Sequence, residues 1–332
     1  MVSELTWAKA HTNIALVKYW GKRDKYLYLP NNSSISISLD GFYTQTGVGL
    51  DTSLTKDYFV LDGHEVKGKS YERVVGFMNR IRQLSGRSEA AYIESMNYVP
   101  INSGFASSAS GFSALAASAA KAYGLPLDYK SLSVLARQGS GSASRSILGG
   151  YVIWHKGVLV DGSDSFSEQL LQADEWKLSI LSVTVQQGEK SISSTEGMDL
   201  TTLTSPFYRS WLDSVDDDLK QMRLAIRVRD FELLGRTMEH NALKMHGMIM
   251  ASRPGIIYWN SGTLEVISCV TKMRQAGVNV YFTIDAGANV KVLCQPSDEI
   301  KLLNELEKLD LVQKVTLSHP GQGVTYIEDP MK

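Results

Sequence analysis

The order of segments near the carboxyl end constrains the fold of this 332-residue chain more than any other feature. An amphipathic helical pattern precedes two apolar strands around the turn Asp285–Ala288, and a second helical pattern and a last strand follow. The segments are 261–276, 278–284, 289–294, 297–309 and 312–318. This order of helix, hairpin, helix and strand is typical of a split β-α-β unit, so it predicts a ferredoxin-like sandwich.

The first half of the chain begins with strands. Residues 33–61 alternate apolar with polar side chains, which predicts antiparallel strands with one face in water and a break at Asp40–Gly41. Helical spacing over 70–84, and again in the alanine- and serine-rich segment that follows Gly104, predicts two helices packed on this sheet.

The pattern changes after the apolar run at 177–185, because long amphipathic stretches dominate at 206–225 and 229–250. A chain of this length commonly forms about two domains. We therefore predict an α+β protein with one lobe at 1–185 and a second at 186–332.

Composition narrows the class of partner. The chain has 34 Lys and Arg against 35 Asp and Glu, a net charge of −1, so no global cationic field attracts nucleic acid or anionic membrane. We expect a small-molecule partner. Cys269 and Cys294 form neither a CxxC pair nor a cluster with histidines, which fits a reducing cytoplasm. No apolar run approaches the roughly 18 residues of a membrane span, and we recognise no export signal.

The segment 97–124 is the first candidate for a binding site. It passes through Gly104 into a helix whose start carries Ser107, Ser108 and Ser110. Free backbone N–H groups and hydroxyl donors at a helix start suit a phosphate. The same small residues also suit tight packing of helix on sheet, so this segment alone leaves both interpretations open.

The segment 137–150 is the second candidate, with four glycines and several serines around Arg145. Arginine can hold a carboxylate or phosphate through two parallel hydrogen bonds. A surface loop with a solvated arginine is an equally good interpretation of this segment alone.

Asp285 is the third candidate, because it stands between a strand and the small residues Ala286 and Gly287. A carboxylate at a strand end is well placed to meet a substrate. An ordinary turn aspartate before glycine is the commoner case.

The segment 8–22 is the fourth candidate, with polar residues interleaved in an apolar stripe. These residues are His11, Asn13, Lys18, Tyr19 and Lys22. No second metal-ligating residue lies at a suitable spacing from His11, which favours a structural histidine. The lysines alone are compatible with simple solvation.

Together and in this order, these segments resemble those of the GHMP kinase superfamily, specifically its diphosphomevalonate decarboxylase branch. The matching segments are 13–22, 103–116, 139–150, 189–198 and 283–293. Arg145 stands in a loop where the kinases typically carry an aspartate, and Asp285–Asn289 replaces their third glycine-rich loop; both differences favour the branch. Thr195 departs from the branch itself, because many bacterial members have arginine at that position.

The resemblance implies an amino-terminal lobe like ribosomal protein S5 domain 2, a ferredoxin-like carboxyl-terminal lobe and an active cleft between them. It implies an ATP- and Mg²⁺-dependent carbon–carbon lyase. Such an enzyme converts (R)-5-diphosphomevalonate into isopentenyl diphosphate, CO2, ADP and phosphate through transient phosphorylation of the 3-hydroxyl. The pathway is the mevalonate route to isoprenoids. The family usually forms homodimers, so we expect one here.

The resemblance also implies roles for individual residues. Asp285 is the expected base on the 3-hydroxyl, with Lys18 close to it. Arg145 is expected to hold the substrate carboxylate or the transferring phosphate, and Asn13 to help fix the carboxylate end. The expected contacts of the diphosphate and the transferring phosphoryl group are Tyr19, Lys22, Ser140, Ser142 and Ser194. The expected ATP-phosphate contacts are Gly104, Ala106, Ser107, Ser108 and Lys190. Mg²⁺ is expected to bind through the phosphates, with Ser107 as its candidate protein ligand.

Two alternatives remain open from the sequence. One is a kinase of the same superfamily that phosphorylates mevalonate or its phosphate without decarboxylation. The other is a non-catalytic nucleotide sensor on the same scaffold. Analysis of the products separates all three, because a kinase releases ADP without CO2 and a sensor releases neither.

Overall fold

The computed structural model of the protein describes residues 3–98, 107–185 and 192–330. The strands of its first half are β1 (Thr6–Val17), β2 (Lys22–Asp24), β3 (Leu29–Pro30), β4 (Ser34–Leu50), β5 (Tyr58–Leu61), β6 (His64–Glu65), β7 (Ala91–Tyr98), β8 (Tyr151–Trp154) and β9 (Ser167–Leu171). β2 and β3 form a separate hairpin. The other seven strands build the first sheet.

The first sheet is almost entirely antiparallel. A strand from the carboxyl end, which we number β14 (Thr325–Ile327), pairs with β1, and the order is β14-β1-β4-β7-β5-β6. β8 pairs with the first part of β4 and with β9. The only parallel pair among the described strands is β5 with β7.

Helices cover one face of this sheet, as predicted. They are α1 (Lys69–Ser85), α2 (Ser107–Ala122), α3 (Tyr129–Arg137) and α4 (Ala143–Ser146). α2 consists mainly of alanine and serine and contacts both β1 and β4, because small side chains let its backbone approach the sheet closely. The predicted helices at 70–84 and after Gly104 are confirmed by α1 and α2.

The predictions for β4 were partly wrong. Asp40 and Gly41 do not end the strand, because a segment from the carboxyl-terminal half continues the pairing: the Asp40 N–H donates to the carbonyl of His319 at 3.0 Å. Nor is one face of this part of β4 in water. Ser34 and Ser36 are as fully buried as Ile35, since both faces of the strand are covered.

The second sheet is the predicted ferredoxin-like unit. Its strands are β10 (Ser179–Thr184), β11 (Val280–Ile284), β12 (Val290–Cys294) and β13 (Lys314–Ser318), in the antiparallel order β11-β12-β10-β13. Two helices, α8 (Ser261–Gln275) and α9 (Glu299–Glu307), cover it, with a 3₁₀ turn at Pro296–Asp298 before α9. Val266, Val270 and Leu302 share an apolar core with the strands.

Three further helices lie between the two sheets. They are α5 (Ser194–Thr204), α6 (Tyr208–Val228) and α7 (Phe231–Met250). Their apolar faces meet Ile14 and Ile37 of the first sheet and Tyr281 and Leu293 of the second in one continuous core. The predicted helical stretches at 206–225 and 229–250 are confirmed, and this core joins the two sheets.

The sheets exchange strands across the predicted lobe boundary. β10 lies before residue 186 but pairs with β12 and β13 in the second sheet. β14 lies after that residue but pairs with β1 in the first. The division into lobes at 1–185 and 186–332 stays a prediction.

Candidate active site

A cleft of about 310 Å³ lies between the two sheets. It is bounded by the residues that follow β1 and β11, by the loop before α4, by the start of α5 and by the middle of α7. The predicted site residues that line it are Asn13, Lys18, Tyr19, Lys22, Ser108, Ser140, Ser142, Arg145, Ser194 and Asp285. Residues more than 270 positions apart in the sequence therefore meet in one cavity.

Lys18 and Asp285 form an ion pair in this cleft. Each follows directly on the end of a strand, β1 for Lys18 and β11 for Asp285. Lys18 Nζ lies 2.7 Å from Asp285 Oδ1 and also donates to the carbonyl of Ala15 at 3.0 Å. The Lys18 side chain is 2% exposed and that of Asp285 is 34% exposed, so the carboxylate is the member that can meet a substrate.

The charge of Lys18 depends on this pairing. Burial lowers the pKa of Lys18, and the negative charge of Asp285 acts in the opposite direction by favouring the ammonium. A second buried lysine, Lys291, places Nζ 3.9 Å from Asp285 Oδ2. The carboxylate therefore stands between two cations.

Arg145 lines the same cleft, is buried, and directs its side-chain hydrogen bonds to neutral groups. Its Nη1 donates to Ser34 Oγ at 2.6 Å, and its Nη2 and Nε donate to Asn13 Oδ1 at 3.1 and 3.3 Å. Asn13 in turn donates to the Ser142 carbonyl and to Ser146 Oγ, which fixes its amide. Burial lowers the pKa of Arg145 to about 10, so the guanidinium is still charged at neutral pH.

The two glycine- and serine-rich segments meet at the cleft wall. Ser140 Oγ lies 3.3 Å from Ser108 Oγ at the start of α2 and 3.3 Å from Ser142 Oγ. Three hydroxyl groups thus cluster beside Arg145. Such a cluster can donate hydrogen bonds to phosphate oxygens.

Tyr19 and Lys22 continue this wall. The Tyr19 ring packs edge-on against Trp154 at 4.8 Å between centroids, and its buried hydroxyl has no hydrogen-bond partner among the described residues. Lys22 Nζ lies 4.9 Å from the centroid of the Tyr28 ring, and burial lowers the pKa of Lys22. The Tyr19 hydroxyl and the Lys22 ammonium can each donate a hydrogen bond to an anionic ligand.

Ser194 lines the cleft at the start of α5. The helix is capped by Ser193, whose hydroxyl accepts the Glu196 N–H at 3.2 Å. Thr195 also lines the cleft, so a hydroxyl stands where many bacterial relatives are expected to place a guanidinium. The cations that line the described part of the cleft are Lys18, Lys22, Arg73 and Arg145.

The remaining predicted residues lie elsewhere. Gly104, Ala106 and Lys190 fall outside the described residues. Ser107 is the first residue of α2 and lines a neighbouring cavity of about 190 Å³, which shares Ser108 and Arg73 with the cleft.

The sequence interpretation missed several residues on α7. Met245 lines the cleft, and Asn241 and His246 are buried behind Lys18 and Asp285. For Asn241 and His246, the only signal in the sequence was a polar side chain on the apolar face of an amphipathic helix. Lys291 lies in the matching segment 283–293, but a single lysine within an apolar strand gave no sign that its side chain would face Asp285.

The donor set fits a magnesium ion that binds through the phosphates of a nucleotide. Within 3–98, 107–185 and 192–330, no group of three His, Cys, Asp or Glu side chains is arranged to hold a metal. Mg²⁺ commonly uses few protein ligands and several phosphate or water oxygens, and the Ser107 and Ser108 hydroxyls stand at the two cavities.

Among the described helices, none is long and apolar enough to cross a membrane.

The two sheets and the cleft between them define an α+β enzyme with the GHMP kinase fold. Residues 10–167 match the family model described as the diphosphomevalonate decarboxylase-like N-terminal domain. Residues 180–322 match that of the mevalonate 5-diphosphate decarboxylase C-terminal domain. The chain belongs to the diphosphomevalonate decarboxylase family.

Curated relatives and solved structures support the same family assignment. A diphosphomevalonate decarboxylase from Ganoderma lucidum is 36% identical over 321 residues, covering 90% of this chain and 80% of the relative. The crystal structure of mevalonate diphosphate decarboxylase from Staphylococcus aureus is 41% identical, with a TM-score of 0.92 and 99% of each chain covered. A structure described as MDDEF in complex with MVAPP, AMPPCP and magnesium is 42% identical, with a TM-score of 0.92, and covers 98% of this chain and 99% of that one.

Proposed function

We propose that this chain uses ATP and Mg²⁺ to convert (R)-5-diphosphomevalonate into isopentenyl diphosphate, CO2, ADP and phosphate, in the mevalonate route to isoprenoids. The observation that carries the proposal is the convergence of Asp285, ion-paired to Lys18, with the buried Arg145 in one cleft. The matching complex with MVAPP, AMPPCP and magnesium supports it.

The chemistry explains why the reaction needs ATP. The substrate is a 3-hydroxy acid with a tertiary alcohol, and hydroxide is a poor leaving group. Transfer of the γ-phosphoryl group to the 3-oxygen turns it into a good one. As the C3–O bond breaks, the electrons of the bond to the carboxylate form the alkene, and CO2 and phosphate depart.

Asp285 orients the 3-hydroxyl and accepts its proton. An aspartate is a weak base toward an alcohol, so most of its effect comes from positioning and from accepting the proton late in phosphoryl transfer. Lys18 Nζ lies 2.7 Å from Oδ1 and Lys291 Nζ lies 3.9 Å from Oδ2, so two cations hold the carboxylate in place while its partly exposed side chain can reach the substrate.

Arg145 stabilises negative charge on the substrate carboxylate or on the transferring phosphate. Asn13 and Ser34 fix the guanidinium before any ligand arrives, so little reorganisation is needed in the reaction. Asn13 also lines the cleft and helps to fix the carboxylate end.

The hydroxyl and ammonium groups around the cleft bind the phosphates. The diphosphate and the transferring phosphoryl group are contacted by Tyr19, Lys22, Ser140, Ser142 and Ser194. The neighbouring cavity behind Ser108 takes the nucleotide, whose phosphates meet Gly104, Ala106, Ser107, Ser108 and Lys190. Bound Mg²⁺ neutralises part of the phosphate charge.

The experiment measures the ratio of ADP to CO2 released. Purified protein is supplied with ATP, Mg²⁺ and (R)-5-diphosphomevalonate, and ADP and CO2 are measured in the same reaction. We expect equal amounts of both. ADP without CO2 would indicate a kinase, and binding of ATP without turnover would indicate a sensor.

We also propose that the protein is a cytoplasmic homodimer. Cys269 and Cys294 are free thiols, as suits a reducing compartment, and the family usually forms dimers. Light scattering coupled to gel filtration tests the oligomeric state, with the mass of a 36.7 kDa monomer as the contradicting result. Cell fractionation tests the location, and recovery outside the cytoplasm would contradict it.

A further inference from the structure

We propose that α7 sets the relative position of Lys18 and Asp285 through two buried positioning residues, Asn241 and His246. Neither residue is expected to touch the substrate. The inference rests on the proposed function, because it concerns the acid and the lysine of the same cleft. It gives a role to two buried polar side chains on the face of α7 that packs into the core.

Asn241 holds the backbone of Lys18. Its Oδ1 accepts the Lys18 N–H at 2.8 Å, and the side chain is fully buried. β1 ends at Val17, so this N–H belongs to the first residue beyond the strand. The hydrogen bond therefore fixes the point from which the lysine side chain departs.

An ion pair behind Asn241 determines how its amide is oriented. Asn241 Nδ2 donates to Asp218 Oδ2 at 2.7 Å, and Lys244 Nζ lies 2.6 Å from the same oxygen. A carboxylate accepts hydrogen bonds and cannot donate them, so the amide must direct its nitrogen toward Asp218. Its oxygen is thereby directed toward Lys18.

His246 holds the backbone next to Asp285, the other member of the ion pair with Lys18. Its Nε2 lies 3.3 Å from the carbonyl oxygen of Ile284, the residue directly before Asp285. Since a carbonyl can only accept, the ring donates from Nε2. Trp259 and Tyr258 pack against the imidazole at 5.0 and 6.4 Å between centroids and leave it 1% exposed.

The two contacts lie five residues apart on one rigid helix. Lys18 directly follows a strand of the first sheet and Asp285 a strand of the second, so the distance between them depends on how the two sheets are held. α7 packs on both β1 and β11 and adds one hydrogen bond at each strand end. Loss of either bond frees one member of the pair to move relative to the other.

The test compares variants that remove these bonds with one that only weakens packing. Asn241→Leu and His246→Leu remove the polar groups at similar volume. In His246→Gln the side-chain amide nitrogen replaces Nε2 as donor. Met248→Ala leaves a cavity on the same buried face of α7 without touching either bond. Each variant is assayed for kcat, for KM of ATP, for Tm and, by crystallography, for the distance from Lys18 Nζ to Asp285 Oδ1.

We expect kcat to fall about 10- to 100-fold in both leucine variants, because small misplacements of reacting groups are costly. KM for ATP should change less than about twofold, since neither Asn241 nor His246 lines the cleft or the nucleotide cavity. His246→Gln should recover most of the lost kcat. Met248→Ala should lower Tm and keep kcat within about twofold of the wild type.

Two results would overturn the inference. One is that the leucine variants keep wild-type kcat and the 2.7 Å distance. The other is that Met248→Ala loses as much kcat as they do, which would reduce the effect to destabilisation. If the wild type itself shows no turnover, the proposed function fails; the distance from Nζ to Oδ1 in the variants then decides this inference alone.

Discussion

Arg145 is a buried cation whose hydrogen-bond partners in the described part of the chain are neutral. The Asp285 carboxylate of the same cleft offsets part of the cost of burying this charge, but no carboxylate among the described residues bonds to the guanidinium directly, and such groups are usually retained for a ligand. The guanidinium reaches Ser34 with one nitrogen and Asn13 with two others, which fixes its plane. A fixed fork can bind a planar carboxylate or a phosphate with little loss of entropy.

Arg145→Lys is therefore expected to lower kcat by at least about 100-fold, although the charge is kept. A single ammonium cannot contact Ser34 and Asn13 and also present two parallel donors. Steady-state kinetics checks this, with Arg209→Lys, an exposed arginine paired with Asp213, as the control. Near-wild-type kcat in Arg145→Lys would remove the fork from the mechanism.

The second residue-scale prediction concerns His246 and pH. Burial lowers the pKa of His246 to about 4, whereas an unfolded histidine titrates near 6.5. Between these values the unfolded chain binds more protons than the folded one, so the unfolding free energy falls as pH falls from about 6.5 to 4. Above pH 6.5 the neutral His246 ring makes its full contribution to the unfolding free energy.

His246→Gln should lack that part of the pH dependence, about 2 to 3 kcal/mol between pH 7 and pH 4.5. Urea unfolding at the two pH values measures it. His240→Gln, at an exposed position on the same helix, is the control. Equal pH dependence in His246→Gln and the wild type would show that His246 is not buried as a neutral ring.

At the scale of elements, α7 approaches β11 closely because Gly235 lacks a side chain. A methyl group on Gly235 would overlap the ring of Tyr281 in β11. That ring is buried between Phe231 and Arg274, at 5.7 and 4.9 Å, so it has little freedom to move. The close approach brings α7 within hydrogen-bond distance of the end of β11.

Gly235→Ala should destabilise the fold by about 1–3 kcal/mol, because the extra methyl group forces helix and strand apart. Gly247→Ala on the same helix meets nothing within 4 Å and should stabilise it by about 0.5–1 kcal/mol. Chemical denaturation followed by tryptophan fluorescence gives both values. Equal stability of the two variants would contradict the close contact.

Elements whose apolar residues repeat locally could be predicted from the sequence. β11, β12 and β13 of the second sheet and its helices α8 and α9 follow from periodicity alone, and so do α1, α6 and α7. The fourth strand, β10, was evident only as an apolar run, and its place comes from pairing with β12 and β13. β4 shows where this fails: Asp40–Gly41 has the local chemistry of a turn, but pairing with the distant residue His319 keeps the backbone extended. Only the tertiary structure supplies that partner.

At the scale of the whole molecule, the cleft forms where the end of one strand from each sheet meets α7. Asp285 and Arg145 could be predicted because they lie in segments with a recognisable motif. Asn241 and His246 could not, since one polar residue on an apolar helix face has many explanations. Their contacts depend on the packing of α7 against both sheets at once, which no local pattern encodes.

The most direct test of the proposed reaction measures ADP and CO2 together in the wild type and in Asp285→Asn, which keeps an oxygen to accept from Lys18. Asp310→Asn, at an exposed carboxylate, is the control. We predict equal ADP and CO2 in the wild type and the control, and a loss of both by at least about 100-fold in Asp285→Asn. Wild-type rates of both products in Asp285→Asn, or ADP without CO2 in the wild type, would contradict the proposed reaction.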